Sequence, residues 1–339
     1  MLVRHIEDYH FLADAESGIT FRWGKTYVDN PTFAPVPELV DISISNQCSK
    51  GCDFCYKNST PDGKMMTFDE YCQVLDSITS SEYGTVFQVA IGGGEPLEHP
   101  NFLKIVEETV NRGIVLNFTT NGRLLTPKVF AAIKGKVGAI AISASSIEEW
   151  KAIKHAMTGS DGIKINIHYI LSKTSILEAI ELVNGKYNEL LKGINAVVFL
   201  TYKPAGRGTN DRVLKKGEET DTFLKAIKAP KISCKIGFDA CFVPMLLQSH
   251  AARKEIVDVC EGGFFSVYID ENMRVSPCSF SNGEDAYSLK DYDFYDIWVN
   301  KLKSYRDQIK NSCTQNCAVH DLCRGACPYY SEITNCYQK

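Results

Sequence analysis

Six short runs of alternating apolar and polar residues recur between residues 39 and 202, and amphipathic stretches with helical spacing separate them. The runs cover residues 39–45, 86–91, 115–119, 139–143, 165–171 and 196–202. Chemistry marks the helix starts. Thr67 with Glu70, and Ser146 with Glu149, read as capping boxes, in which a hydroxyl and a carboxylate satisfy free amides. Thr126-Pro127 joins a capping hydroxyl to a first-turn proline. Helices are predicted from Phe68 to Ser80, from Asn101 to Arg112 with Gly113 as the stop, and from Ile176 to Leu191. Strands alternating with helices predict a parallel sheet with crossover helices, an α/β fold. Six such units make a partial (β/α)6 TIM-like barrel over residues 39–230. Ahead of it, at 1–38, the runs around Phe11 and Phe21 predict a hairpin and a proline-rich lead-in. A cysteine-rich unit follows at 231–339.

The period-2 pattern sorts the strand residues by face. Ile42, Ile44, Val89, Ile91, Leu116, Phe118, Ile140, Ile142, Ile165 and Ile167 share the side that the helices must cover. Ser43, Ser45, Asn117, Thr119, Ser143, Asn166 and His168 share the other and point into the lumen. A closed barrel fills its interior with branched apolar side chains, so this lumen reads as an open, wet cavity that admits a substrate, or as ordinary polarity at a barrel rim.

Composition narrows the function. An apolar fraction of 44% over 339 residues fills a large core. A net charge of −4 offers no basic field for nucleic acid or an anionic membrane. The sequence shows neither an apolar signal core at its start nor a membrane-spanning run, which places the protein in the cytoplasm. Its 13 cysteines are odd in number and spaced as metal ligands, unlike a disulfide framework.

Cys48, Cys52 and Cys55 follow the first run in the spacing C-x3-C-x2-C, with Phe54 before the last cysteine. Three thiolates hold three corners of a four-iron cluster and leave the fourth iron open; the competing reading is a zinc knuckle short of one ligand. Gly92-Gly93-Gly94-Glu95-Pro96 ends the second run, at the edge where β/α enzymes build their sites. Its glycines admit a ligand to the backbone and its carboxylate suits an ammonium group, although the same residues also make a turn. Thr119-Thr120-Asn121-Gly122, Ser143-Ala144-Ser145 and Lys203-Pro204-Ala205-Gly206-Arg207-Gly208 end the third, fourth and sixth runs.

Together these segments resemble the radical S-adenosylmethionine (SAM) superfamily. The resemblance implies a [4Fe-4S] cluster on Cys48, Cys52 and Cys55, with Phe54 in the aromatic place before the last cysteine. Gly93, Gly94 and Glu95 then bind the amino group of SAM, and Thr120, Asn121 and Ser143 lie where its carboxylate and ribose are held. Arg207 falls near the adenine. The segment Ser143-Ala144-Ser145 departs from the usual Ser-Leu-Asp.

The later cysteines are similar to the SPASM extension, which binds auxiliary clusters. They are Cys241, Cys260, Cys278, then Cys313-x3-Cys317-x5-Cys323-x3-Cys327, then Cys336. Here C-x3-C replaces the usual C-x2-C, and Met273 stands where a glycine is expected five residues before Cys278. The resemblance implies Cys260, Cys278 and Cys327 on one auxiliary cluster, with Cys241 the candidate fourth ligand, and Cys313, Cys317, Cys323 and Cys336 on the other. The expected cofactors are three [4Fe-4S] clusters and SAM, which leaves Cys72 and Cys234 as core residues; zinc sites are the alternative.

The resemblance further implies reductive cleavage of SAM to methionine and a 5′-deoxyadenosyl radical, which removes a hydrogen atom from the substrate. Most members with this extension act on peptides or proteins, so the expected substrate is a ribosomally made precursor peptide, and the change a crosslink, an excision or another backbone or side-chain modification. The peptide, a separate leader-recognition protein or the hairpin at 10–23, and a flavodoxin- or ferredoxin-type reductant are the expected partners. Sulfatase maturation to formylglycine is a second reading, in which an aspartate is expected after Cys278 where this chain has Ser279. A third is a non-enzymatic iron-sulfur electron carrier, told apart by whether the protein cleaves SAM.

Overall fold

A computed structural model describes residues 1–79, 84–253, 257–281, 283–310, 327–330 and 333. Strands β1 (Leu2–Ile6), β2 (Tyr9–Ala13) and β3 (Thr20–Trp23) form a small antiparallel sheet in that order. A second sheet starts with β4 (Leu39–Ser45), β5 (Gln88–Gly93), β6 (Val115–Thr120), β7 (Val137–Ala144), β8 (Ile165–Leu171) and β9 (Ala196–Thr201), each parallel to the one before. Helices α1 (Phe68–Ser77), α2 (Phe102–Asn111), α3 (Pro127–Ile133), α4 (Ile147–Lys154) and α5 (Ile176–Val183) occupy the connections, and α6 (Glu218–Lys228) follows β9. The strand residues assigned to the helix side are buried with these helices in one large core that holds Ile42, Val89, Phe118, Ile142 and Ile167. Every strand C-terminus therefore opens on the same edge.

The sheet extends past six strands on both sides. β10 (Lys235–Phe238) pairs parallel with β9, and β11 (Ser266–Ile269) pairs parallel with β4 before turning into the antiparallel β12 (Arg274–Ser276) and β13 (Tyr287–Ser288). The run Lys235-Ile236-Gly237-Phe238 is short and broken by a glycine, which hides it from a periodicity reading. The turn between β11 and β12 places Met273 at φ 61° with its side chain buried, so the position expected to hold glycine does require a left-handed backbone.

Several helix ends differ from expectation for local reasons. α1 stops at Ser77, where the hydroxyls of Ser77 and Thr79 donate back to the carbonyls of Gln73 and Leu75. α5 stops at Val183, just ahead of Asn184-Gly185. The first capping box forms in full, with Thr67 and Glu70 satisfying each other's amides. In the second, Ser146 accepts from the Glu149 amide, while the Glu149 carboxylate accepts from Ser145 instead of capping Ser146. The first 38 residues form a three-stranded sheet: Tyr9, Phe11 and Ala13 of β2 are buried against Phe264, Phe265 and Tyr305.

Candidate functional site

At the C-terminal edge of the parallel strands lies a cavity of about 450 Å³. Cys48, Cys52, Cys55, Phe54, Gly93, Gly94, Glu95, Thr120, Asn121 and Ser143, which the sequence puts on four different strand ends, all line it. The folding of the cysteine loop explains the convergence. After β4 the chain turns back on itself through Cys48 N–H to the Thr60 carbonyl (2.9 Å) and Asn46 N–H to the Lys64 carbonyl (2.6 Å). The Ser59 amide donates to Cys55 Sγ at 3.4 Å. Ser49 donates from its amide and its hydroxyl to Glu98 (3.0 and 2.5 Å), which fastens the loop to the turn after β5. Lys50 pairs with Glu149 at the start of α4, and Asp53 with Arg212 beyond β9.

Arg207, in the loop after β9, braces the same cysteine loop. Its Nε donates to the Cys52 carbonyl and its Nη1 to the Ser59 carbonyl, both at 2.8 Å, and its amide donates to the Cys55 carbonyl at 3.0 Å. Next to it, Gly206 (φ +58°) lies so close that a Cβ would sit 2.3 Å from the Cys55 carbonyl oxygen. The sequence reading put Arg207 near the adenine; its guanidinium is directed at the cysteine loop, and Arg207 is absent from the cavity lining. Arg207→Met is therefore expected to weaken iron retention by about 10- to 100-fold, the cost of losing a residue that orients metal ligands. Chelator-challenge rates check this, and an unchanged rate with weakened SAM binding would restore the adenine contact.

Glu95 sits beneath the loop with its side chain almost wholly buried. Oε1 accepts from Thr120 Oγ1 at 2.6 Å and from the Leu97 amide at 3.1 Å; Oε2 accepts from the Asn121 amide at 2.7 Å. Burial raises its pKa, and these donors oppose the rise. The carboxylate is fixed in direction and has no cation partner of its own among the described residues. A Cβ on Gly94 would sit 2.0 Å from the Gln47 carbonyl oxygen, so Gly94 is needed first for the close crossing of β5 and the cysteine loop.

The cavity also carries polar groups to which the motifs assign no role. Lys203 Nζ donates to Asp239 Oδ2 at 3.0 Å, and Thr201 donates to Asp239 Oδ1 at 2.6 Å. Burial pushes His168 down to about 4, so its ring is neutral at pH 7. Asp41, on the Ser43 side of β4, is pushed up to about 6 by burial. The alternation that marked Ser43 and Ser45 includes Asp41, so the signal for it was present in the sequence. A carboxyl with a raised folded pKa lowers stability as pH climbs from its unfolded value, and the full penalty applies above about 6. In the metal-free protein, Asp41→Asn is expected to stabilise the fold by up to about 3 kcal/mol at pH 8, the free energy that corresponds to so raised a pKa. Melts at pH 8 and pH 4 check this; an equal gain at both would contradict it.

Among the other cysteines, Cys241 and Cys278 are half-buried, and loss of solvation raises the pKa values of their thiols, Cys278 to about 12. Each senses the charges of Cys260 and Cys327, which puts the four in one neighbourhood; Lys203 acts on Cys241 and Cys278 in the opposite direction. Cys313, Cys317, Cys323 and Cys336 lie outside the described residues. Cys234 packs against the core, and Cys72 on α1 is half-buried. Among the described residues no three His, Cys, Asp or Glu side chains converge on a single metal ion. A four-iron cluster spreads its thiolates over separate iron corners and needs no such convergence. No helix is long and apolar enough to cross a membrane among the described residues.

Comparison with known proteins agrees with this geometry. The radical SAM superfamily model matches residues 42–198, the stretch from β4 into β9 that carries the cysteine loop and the Glu95 turn. The mycofactocin maturase MftC of Mycobacterium tuberculosis is 23% identical over 347 residues, covering 87% of this chain and 82% of the relative. The AdoMet-dependent heme synthase of Methanosarcina barkeri is 24% identical over 329 residues, covering 85% and 90%. Among solved structures, Streptococcus suis SuiB bound to precursor peptide SuiA superposes with a TM-score of 0.65 at 16% identity, over 90% of this chain and 77% of that one. Native anSMEcpe with bound AdoMet and Cp18Cys peptide gives 0.64 at 16% identity, over 86% and 89%. At these identities the solved structures speak for the fold. Residues 42–198 thus match the radical SAM superfamily, whose members use SAM and a [4Fe-4S] cluster, and this matched stretch carries the cysteine loop and the Glu95 turn that line the cavity.

Proposed function

We propose that the protein modifies a ribosomally made precursor peptide by hydrogen-atom abstraction, using three [4Fe-4S] clusters. The observation that carries this is the locking together of the Cys48–Cys55 loop and the Glu95 turn, through Ser49 and Glu98, around one open cavity. When bound at Cys48, Cys52 and Cys55, the cluster and SAM supply a 5′-deoxyadenosyl radical. The chain supplies position. Glu95, aimed by Thr120 and the Leu97 and Asn121 amides, offers its remaining lone pairs to the ammonium of SAM. Asn121 and Ser143 line the same cavity and suit its carboxylate and ribose, and Phe54 lines it beside Cys55. Arg207 and Lys50 hold the cysteine loop in place.

The neighbourhood of Cys241, Cys260, Cys278 and Cys327 supports an auxiliary cluster held by those four, and the spacing of Cys313, Cys317, Cys323 and Cys336 supports a second. The Lys203–Asp239 pair lies between the cavity and Cys241, and places a cation beside the thiols. The peptide reading draws on the width of the cavity and on relatives described as a maturase and as bound to a precursor peptide. A leader segment fits the outer edge of the N-terminal sheet, where Phe21 of β3 and Tyr27 just beyond it are exposed, unless a separate protein delivers it. A flavodoxin- or ferredoxin-type protein is the reductant.

Mass spectrometry of peptides encoded beside the gene, incubated anaerobically with enzyme, SAM and reductant, tests the reading. Loss of two hydrogens or excision of a fragment is the expected result. SAM cleavage that ignores every such peptide and responds to a small metabolite would overturn the peptide assignment.

A further inference from the structure

Four carboxylates line the cavity, and three of them are neutralised or capped. Glu95 receives Thr120 and two amides, Glu149 pairs with Lys50, and Asp239 pairs with Lys203. The fourth, Asp41, accepts no hydrogen bond and meets no cation among the described residues; burial is the whole influence on its carboxyl. Lys57, the cation held against Tyr268, is taken by Glu271 at 2.8 Å. Asp41 is half-buried in the cavity wall with no partner of its own, which is unfavourable for the ionised carboxylate, so in the free enzyme this position lacks its counter-charge.

The surroundings describe what that counter-charge is. Along the sheet Asp41 stands in register between Tyr268 of β11 and Ala90 of β5, an aromatic ring on one side and a small residue that leaves room on the other. Tyr56 and Tyr268 both sense its charge. Tyr56 packs on Phe280 with ring centroids 4.6 Å apart, and all three rings line the cavity. Tyr56 is 36% exposed. Lys57 stands over the Tyr268 ring at 5.4 Å and Lys203 over the Phe280 ring at 4.4 Å, so this aromatic wall already takes cations; an organic cation suits it, with its charge on Asp41 and its alkyl stem along Tyr56. Along β4, Asp41 also lies one pleat repeat farther from the cysteine loop than Ser43, so a side chain anchored on it reaches past the SAM end of the cavity.

We propose that Asp41, with Tyr56, Tyr268 and Phe280, is a specificity pocket for a cationic side chain of the substrate, the ammonium of lysine or the guanidinium of arginine. This rests on the peptide reading above. A bound cation restores the ionised carboxylate and orients the neighbouring peptide atoms toward the strand ends.

The test is equilibrium dialysis of the reconstituted, SAM-loaded holoenzyme against acetyl-Gly-Xaa-Gly-amide, with Xaa lysine, arginine or uncharged norleucine, and against n-butylammonium paired with n-butanol. The wild type is expected to retain the charged member of a pair about tenfold better than the neutral one, the ratio of a modest ion pair. Asp41→Asn, nearly identical in shape, is expected to erase that preference, and a melt of the variant confirms that it folds. Equal retention of charged and neutral probes by the wild type, retention of none included, overturns the pocket, as does a preference that survives in Asp41→Asn. A preference for n-butylammonium over n-butanol without one among the peptides keeps the cation site and removes the peptide reading. A precursor peptide modified equally by wild type and Asp41→Asn keeps the peptide reading and removes the pocket.

Discussion

Replacing Cys48, Cys52 and Cys55 together with alanine is expected to abolish SAM cleavage and to lower the iron content of the anaerobically reconstituted protein by one cluster, about four irons per chain. The three thiols share one loop whose backbone is closed by its own hydrogen bonds and by Arg207, so the loop outlasts the substitutions. None of the C-terminal cysteines belongs to it, and about eight irons are expected to remain on them. Iron analysis and 5′-deoxyadenosine production are the two readouts. Unchanged iron, or zinc in place of iron after strictly anaerobic preparation, would show that the triplet is no cluster site.

Glu95→Gln is expected to weaken SAM binding by about 1 to 3 kcal/mol, roughly 5- to 150-fold in Kd, the range of a hydrogen bond to a charged group. The substitution also turns an amide NH2 toward donors. Thr120, the Leu97 amide and the Asn121 amide all donate to the carboxylate, and a glutamine accepts with one oxygen alone. A small loss of thermal stability therefore accompanies the loss of affinity, and iron content separates the two, because Glu95 reaches the cysteine loop only through its backbone amide, on the Gln47 carbonyl, while the side-chain tie comes from Glu98. Full iron with weakened SAM binding is the expected result. Unchanged affinity would leave the segment Gly93 to Glu95 as a turn required by strand crossing.

Much of the barrel was legible because strand periodicity and helix caps are local signals. Residues 165–171 alternate cleanly and form β8 over that span, and Thr67-Phe68-Asp69-Glu70 caps α1 as read. What was not legible depends on partners far along the chain. β10 is four residues with an internal glycine, and it is a strand because β9 offers it an edge. Glu149 leaves its capping box because Lys50, about a hundred residues earlier, and Ser145 reach it first. Spacing brought the motif cysteines and Glu95 to notice, and the fold brings them to one cavity. The bonds of Arg207 to the Cys52 and Ser59 carbonyls were not legible, because a spacing does not say which way a guanidinium turns. Asp41 shares a face with Ser43 and Ser45, but an acid in a strand attracts notice once its missing partner is known, and only the fold shows that.

The central claim, that the radical generated at this cavity acts on a peptide, is tested most directly by isotope transfer. The enzyme would be given SAM, a reductant and a deuterium-labelled precursor peptide encoded beside its gene. The account predicts deuterium in the 5′-deoxyadenosine, together with a matching mass change in the peptide. Unlabelled 5′-deoxyadenosine with an unaltered peptide would contradict it.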